Sequence, residues 1–301
     1  YNLFRKNIGK EIKFNEGNLE FMSLHTFIPV VFLVISSIGT TLLNSIGDNR
    51  IVLLLAPSIC AYFIYLFVSK KNFNDSVYIS TIFFSALSLI LTFSMRGPNI
   101  IGWDINEEFQ VFSKTLENLR WSMDFYKGLD YNACISITIL PTIFQVLTGI
   151  GPHYIFKFFF QIFFALLPLS VFLISNKYIN KKLSLLASFL FISQTWFFEQ
   201  MPALIRQEVA FFIYSLLLIA ILNDEISKKL KYSIVTFLSF GLVISHYTTS
   251  YIIVAIFGGL FVITFILDWL YKRKKEYFGL FVCFLIIVLV MFWQIVVTNT
   301  G

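Results

Sequence analysis

The chain has 301 residues, 57% of hydrophobic type and only 13% charged, with a mean hydropathy of +0.79. A soluble domain is about 25% charged and 45–50% apolar, so this composition excludes an ordinary water-soluble fold and fits lipid-facing surface. The net charge of +6 would suggest nucleic acid in a soluble protein. Here the basic residues sit in short segments between apolar runs, where they set topology and touch anionic headgroups, and no nucleic-acid partner is expected.

In chain order, candidate spans fall at roughly 27–46, 51–69, 76–95, 154–175, 183–198, 207–222, 232–247, 251–271 and 277–298. Each is near the ~20 apolar residues that cross ~30 Å of hydrocarbon, two or three of them on the short side. No polar stretch is long enough for a soluble domain, so residues 1–301 read as a single transmembrane domain. Cys60 and Cys283 lie inside apolar runs as small core residues, and no CxxC or Cys/His spacing suggests a metal.

The run Cys134–Ile150, with Pro141, Gln145 and Gly149, is decided by loop charge. If it does not cross, five segments share one side. They carry Arg5, Lys6, Lys10 and Lys13; Lys70 and Lys71; Lys177, Lys181 and Lys182; Lys228, Lys229 and Lys231; and Lys272, Arg273, Lys274 and Lys275. These are 16 of the 23 basic residues. The positive-inside rule makes that side the cytoplasm. Residues 134–150 are therefore expected to form an interfacial or re-entrant helix, with Ile135, Ile139, Ile143, Val146 and Ile150 on its apolar face. The fold class is all-α and polytopic, with about nine crossings at ~20 residues each. The N-terminus is cytoplasmic and residue 301 external, a topology compatible with an external domain beyond that point.

This arrangement puts the long polar stretch 96–133 outside, as an external loop. Its sharpest signal is Gly102-Trp103-Asp104-Ile105-Asn106-Glu107-Glu108, a few residues after a span. A carboxylate there can take a proton from a hydroxyl or hold a metal that does. In a helix Asp104 and Glu108 share a face at i, i+4, and two close carboxylates raise one pKa, which suits a base near neutral pH. The competing reading is a solvated acidic loop. Other span ends on the same side carry Arg96, Lys157, the trio Arg206, Gln207 and Glu208, and His246 with Tyr247. Arg206 opens a span, where a helix N-terminus attracts anions and the guanidinium fork fits phosphate. An Arg or Lys snorkelling to headgroups, and a polar turn around His246, are the plain structural alternatives.

An acidic motif early in the first large external loop, followed by an amphipathic helix that does not cross, resembles the GT-C superfamily of membrane glycosyltransferases. Three stretches also resemble a family of archaeal membrane proteins within it. They are Gly102–Ile105 with Glu108, residues 132–150, and the pair Ala203–Glu208 and Ser245–Thr249, and together they span about residues 90–255. Two residues after the acid, where that family often has a His, this chain has Asn106. The resemblance implies a GT-C-like fold, inverting sugar transfer from a polyprenyl-phosphate donor, and Asp104 as the loop carboxylate. Glu108 or Glu107 would assist it. Arg206 would hold the donor phosphate with help from Lys157 or Arg96, and Gln207, Glu208, His246 and Tyr247 would complete the site. No cofactor is fixed by the residues, and a divalent cation fits the carboxylates as well as a bare base does. Two other classes stay open: a transporter or flippase of lipid-linked or anionic solutes, and a non-catalytic subunit of a cell-envelope complex. The nearly uncharged span centres favour interfacial chemistry over transport, because transporters place charges near the midplane.

Overall fold

A computed structural model describes residues 24–125, 130–271 and 278–300. Arg5, Lys6, Lys10, Lys13, Lys127, Lys272, Arg273, Lys274 and Lys275 therefore lie outside the described residues. Every regular element among the described residues is helical. In chain order these are α1 Leu24–Ile46, α2 Arg50–Val68, α3 Asp75–Ser94, α4 Asp104–Asn118, α5 Ile139–Thr148, α6 Pro152–Asn176, α7 Lys181–Ile192, α8 Ile205–Leu222, α9 Lys228–Ser245, α10 Tyr247–Leu270 and α11 Phe278–Met291. A π-helical turn, Phe292–Val297, continues α11.

Seven of these helices are long and apolar enough to cross a membrane: α1, α2, α3, α6, α8, α10 and the segment Gly279–Val297. The chain is thus a polytopic, all-helical membrane protein. The other two runs read as spans from the sequence look different in three dimensions. α7 has 12 residues, about 18 Å at 1.5 Å per residue, before the chain turns through the π-helical segment Trp196–Gln200. α9 has 18 residues, but Lys228, Lys229 and Lys231 fill its first turn. Residues 134–150 form a 3-10 turn, Ile135–Ile137, and the ten-residue α5, which at about 15 Å is too short to cross. Gly149, at φ +70°, ends α5 in the left-handed conformation that a side chain disfavours. Ile143, Val146, Leu147 and Ile150 are exposed along this segment.

The chain divides into two compact units, one of Tyr1–Ile101 with Lys157–Ala203, the other of Gly102–Phe156 with Leu204–Gly301. In the first, α1 packs on α2 and α3 through small residues, the usual device where lipid supplies no hydrophobic drive between helices. Ser36 Oγ donates to the Ser88 carbonyl at 2.8 Å, and a Cβ on Gly39 would come within 3.0 Å of the Val52 backbone nitrogen. Pro29, inside α1, has no N–H for the His25 carbonyl. The Tyr62 hydroxyl of α2 donates to that carbonyl instead, at 2.9 Å, so a backbone group in an apolar setting stays satisfied.

The second unit is built on α8–α11, whose core includes Leu217, Val235, Leu242, Ile253, Phe257, Val282 and Ile286. α4, the 3-10 turns Met123–Phe125, Asp130–Ala133 and Ile135–Ile137, and α5 belong to the same unit. Ser136 Oγ donates to the Ser245 carbonyl at 3.1 Å, fixing the turn before α5 against the end of α9. The Trp121 and Trp293 rings stack at 6.1 Å. Their indole nitrogens donate to the carbonyls of Asn132 at 2.7 Å and Ala133 at 3.0 Å. Two large aromatic anchors therefore hold residues 130–133 in place.

Candidate functional site

The sequence stretch read as an acidic loop is the start of a helix. Gly102 adopts φ +131°, a conformation essentially reserved for glycine, and the Asn106 side chain donates to its carbonyl. Asp104 then opens α4, where the helix dipole favours a negative charge. With 3.6 residues per turn, Asp104 and Glu108 face the same way, and Glu107 lies about 100° around the helix.

That shared face meets the first turn of α8. Arg206 Nη2 is 2.9 Å from Asp104 Oδ2, and Arg206 Nε is 3.4 Å from Glu108 Oε1. Leu204, the N-cap residue of α8, supplies no side-chain cap. Glu108 fills that role from another helix: Oε2 accepts the Ile205 N–H at 2.9 Å and Oε1 the Arg206 N–H at 3.5 Å. The N-terminus of α8, expected to attract a ligand anion, is thus occupied by a carboxyl group of the protein itself. Glu108 has no exposed surface, and burial pushes its pKa up to about 8 against the opposing pull of Arg206 and the two backbone N–H groups.

The Arg206 guanidinium stacks over the Tyr131 ring, 3.6 Å from its centroid, and lies 5.8 Å from that of Tyr247. Its side chain is 5% exposed, whereas that of Asp104 is 31% exposed. Among the described residues Nη1 of Arg206 has no hydrogen-bond partner. A buried, charged donor left without an acceptor costs about 1–3 kcal/mol or more, so the atom marks a place for an acceptor the protein does not provide.

His246 lies beside this cluster as the N-cap of α10. Its Nδ1 accepts the Thr249 N–H at 3.3 Å and sits 2.6 Å from the Thr249 hydroxyl. Burial, and then the charge of Arg206, lower its pKa to about 4, so the ring is neutral at physiological pH. Cys134 is buried nearby, and burial raises its thiol to about 12.

The structure therefore brings together Asp104, Glu108, Arg206 and Tyr247, with His246 next to Tyr247 at 5.3 Å between ring centroids. Glu107 and Gln207 are half-buried neighbours in sequence, and Glu208 is a buried carboxyl in the first turn of α8. Arg96 and Lys157 belong to the other unit. There the buried Lys157 ammonium donates to the carbonyls of Gly97 at 2.6 Å, Asn99 at 2.8 Å and Arg96 at 3.4 Å, as a strap on the 96–99 loop, while the Arg96 side chain is exposed. Tyr131 is the residue that sequence reasoning missed. A lone tyrosine in a polar loop carries no signal, and only the two tryptophan anchors bring it under Arg206.

Asp104 and Glu108 both turn to the guanidinium, and among the described residues no group of three or more His, Cys, Asp or Glu side chains is placed to hold a metal ion. In this arrangement Nη1 of Arg206 is a buried cationic donor without an acceptor, beside the partly exposed carboxylate of Asp104. Comparison with protein-family models, curated proteins and solved structures gives no match for this chain.

Proposed function

We propose that this protein is a membrane glycosyltransferase of GT-C type that transfers a sugar from a polyprenyl-phosphate donor to an acceptor hydroxyl at the external membrane face. The observation that carries the reading is the unpartnered Nη1 of a buried Arg206, held by Glu108 and Tyr131 beside the more open Asp104. A donor phosphate oxygen is the natural acceptor for that nitrogen. Asp104 would take the proton of the incoming hydroxyl as the new bond forms at the anomeric carbon. The bond from that carbon to the phosphate oxygen breaks on the other face, and the polyprenyl phosphate leaves with the electron pair on that oxygen, its charge held by Arg206. Stabilising that departing charge in a water-poor site is the largest service a fixed cation renders. The topology belongs to the same proposal: about nine crossings, with α7 and α9 crossing in addition to the seven longer helices, α5 lying in the external leaflet and the lysine-rich loops in the cytoplasm.

The test is sugar transfer from a polyprenyl-phosphate sugar by purified protein in lipid. Asp104→Asn keeps shape and removes charge, and removing a general base typically lowers rate by about 10²–10⁴. Full activity in that variant would remove Asp104 from the chemistry. The ion pair between Asp104 and Arg206 favours a second reading, in which the site binds a lipid-linked anion without reacting it, as in a flippase or a non-catalytic subunit. Donor binding that needs Arg206 but leads to no transfer under any condition would select it.

A further inference from the structure

We propose that Glu108 works in its protonated form, as a neutral clamp that orients Arg206 while leaving the guanidinium charge for an anionic ligand; for the anion this rests on the function proposed above. It is thus a positioning residue and not a second catalytic acid.

The two oxygens of Glu108 are not alike. Oε2 accepts one well-placed N–H, from Ile205 at 2.9 Å. Oε1 has only long contacts, to the Arg206 N–H at 3.5 Å and to Arg206 Nε at 3.4 Å. A carboxylate facing a guanidinium normally makes short, parallel bonds of about 2.7–2.9 Å. Such long contacts offset little of the desolvation cost of an ionised Glu108, and the neutral acid avoids that cost. Asp104, on the same helix, makes the short ionic contact at 2.9 Å. Glu108 also has no solvent contact, and a buried acid relieves its desolvation by taking a proton.

The groups acting on Glu108 are Arg206 on α8, Asp104 on α4 and Cys134 in the segment before α5. Cys134 is a neutral thiol. With Glu108 protonated, Asp104 and Arg206 cancel and Nη1 faces a ligand from a neutral cluster. With Glu108 ionised, the cluster has a net charge of −1 and repels a phosphate. The same proton therefore decides both the fit of the clamp and the affinity for the anion.

The first arm of the test needs no ligand. Thermal unfolding of the full chain is followed from pH 6 to 9.5 for wild type and Glu108→Gln. A carboxyl whose folded pKa is raised gives stability that is complete below its unfolded value and lost as pH rises through the folded one. Wild type should lose stability through about pH 8, and Glu108→Gln should not. Parallel curves for the two proteins overturn the proposal. If the variant does not fold, infrared spectroscopy of wild type decides: a protonated-carboxyl band at pH 7 that disappears by pH 9.5 supports the assignment, and no such band at pH 7 overturns it.

The second arm uses farnesyl phosphate as the probe, in bilayers of zwitterionic lipid. Its phosphate is already doubly charged above about pH 7, so later changes belong to the protein. Wild-type affinity should fall about tenfold between pH 7 and 9.5. Glu108→Gln should bind more weakly at pH 7, because its amide N–H faces the Arg206 donors, but without the further fall. A fall of equal size in both proteins overturns the proposal. If farnesyl phosphate binds neither wild type nor Arg206→Gln above background, the proposed function fails, and the stability arm still decides Glu108.

Discussion

Arg206 Nη2 and Asp104 Oδ2 lie 2.9 Å apart although 102 residues of chain separate them. The short bond pairs a 5% exposed cation with a 31% exposed anion, so the buried charge of Arg206 is tied to a carboxylate that still meets solvent.

Arg206→Lys keeps the charge and removes the fork. An ammonium can pair with Asp104, but it cannot at the same time stack flat on Tyr131 and present a second nitrogen. Farnesyl phosphate binding should weaken about 10- to 100-fold, the worth of one hydrogen bond to a charged group. Equilibrium binding at pH 7 checks it, and an unchanged affinity would remove Arg206 as the anion residue.

Tyr131 supports Arg206 through its ring face. Tyr131→Phe should therefore bind the probe nearly as wild type does. Tyr131→Leu should lose a cation–π contact of about 0.5–2 kcal/mol, which is roughly 2- to 30-fold in affinity. Equal losses in both variants would mean that the hydroxyl, and not the ring, carries the role.

His246 makes the protein sensitive to acid. Its folded pKa of about 4 lies below the unfolded value of 6.5, so its contribution to stability is complete above pH 6.5 and lost as pH falls toward 4. His246→Asn keeps a capping side chain and has no proton to gain. The melting temperature of wild type should drop between pH 6.5 and 4 by more than that of His246→Asn, and a parallel decline would refute the assignment.

Pro29 and Tyr62 should be coupled. Tyr62→Phe leaves the His25 carbonyl of α1 without its donor, at a cost of about 1–3 kcal/mol. Pro29→Ala restores an N–H to α1, so the same tyrosine change made in that background should cost much less. A double-mutant cycle of unfolding in detergent measures the difference, and additive effects would break the link.

Topology is open to labelling with a membrane-impermeant thiol reagent in sealed vesicles, on a background lacking Cys60, Cys134 and Cys283. Cysteines placed at Asn72 and Lys229 should react only from the cytoplasmic side, and one at Asn106 only from the other. Reaction of the Lys229 position from outside would invert the arrangement and move the proposed site to the wrong face.

The sequence by itself determined that this is a polytopic helical membrane protein, because crossing lipid demands only a long apolar run, and that is a local property. The starts and ends of the seven long helices lie within a few residues of the runs read from composition, as between 76–95 and α3 at Asp75–Ser94. The run 134–150 carries Pro141 and Gly149 in the sequence, and in the structure its helix α5 is only ten residues long. The shared face of Asp104 and Glu108 was legible too, since it follows from helical spacing once α4 is a helix. The fate of each side chain was not legible. Lys157, one of two candidate helpers of Arg206, holds three backbone carbonyls, and the N-terminus of α8, a candidate anion site, is filled by Glu108. These outcomes depend on contacts between segments about 60 and 97 residues apart, and no local pattern encodes which partner a buried charge will find. Only packing decides that, because a charge removed from water must take whatever donors and acceptors the fold brings within reach.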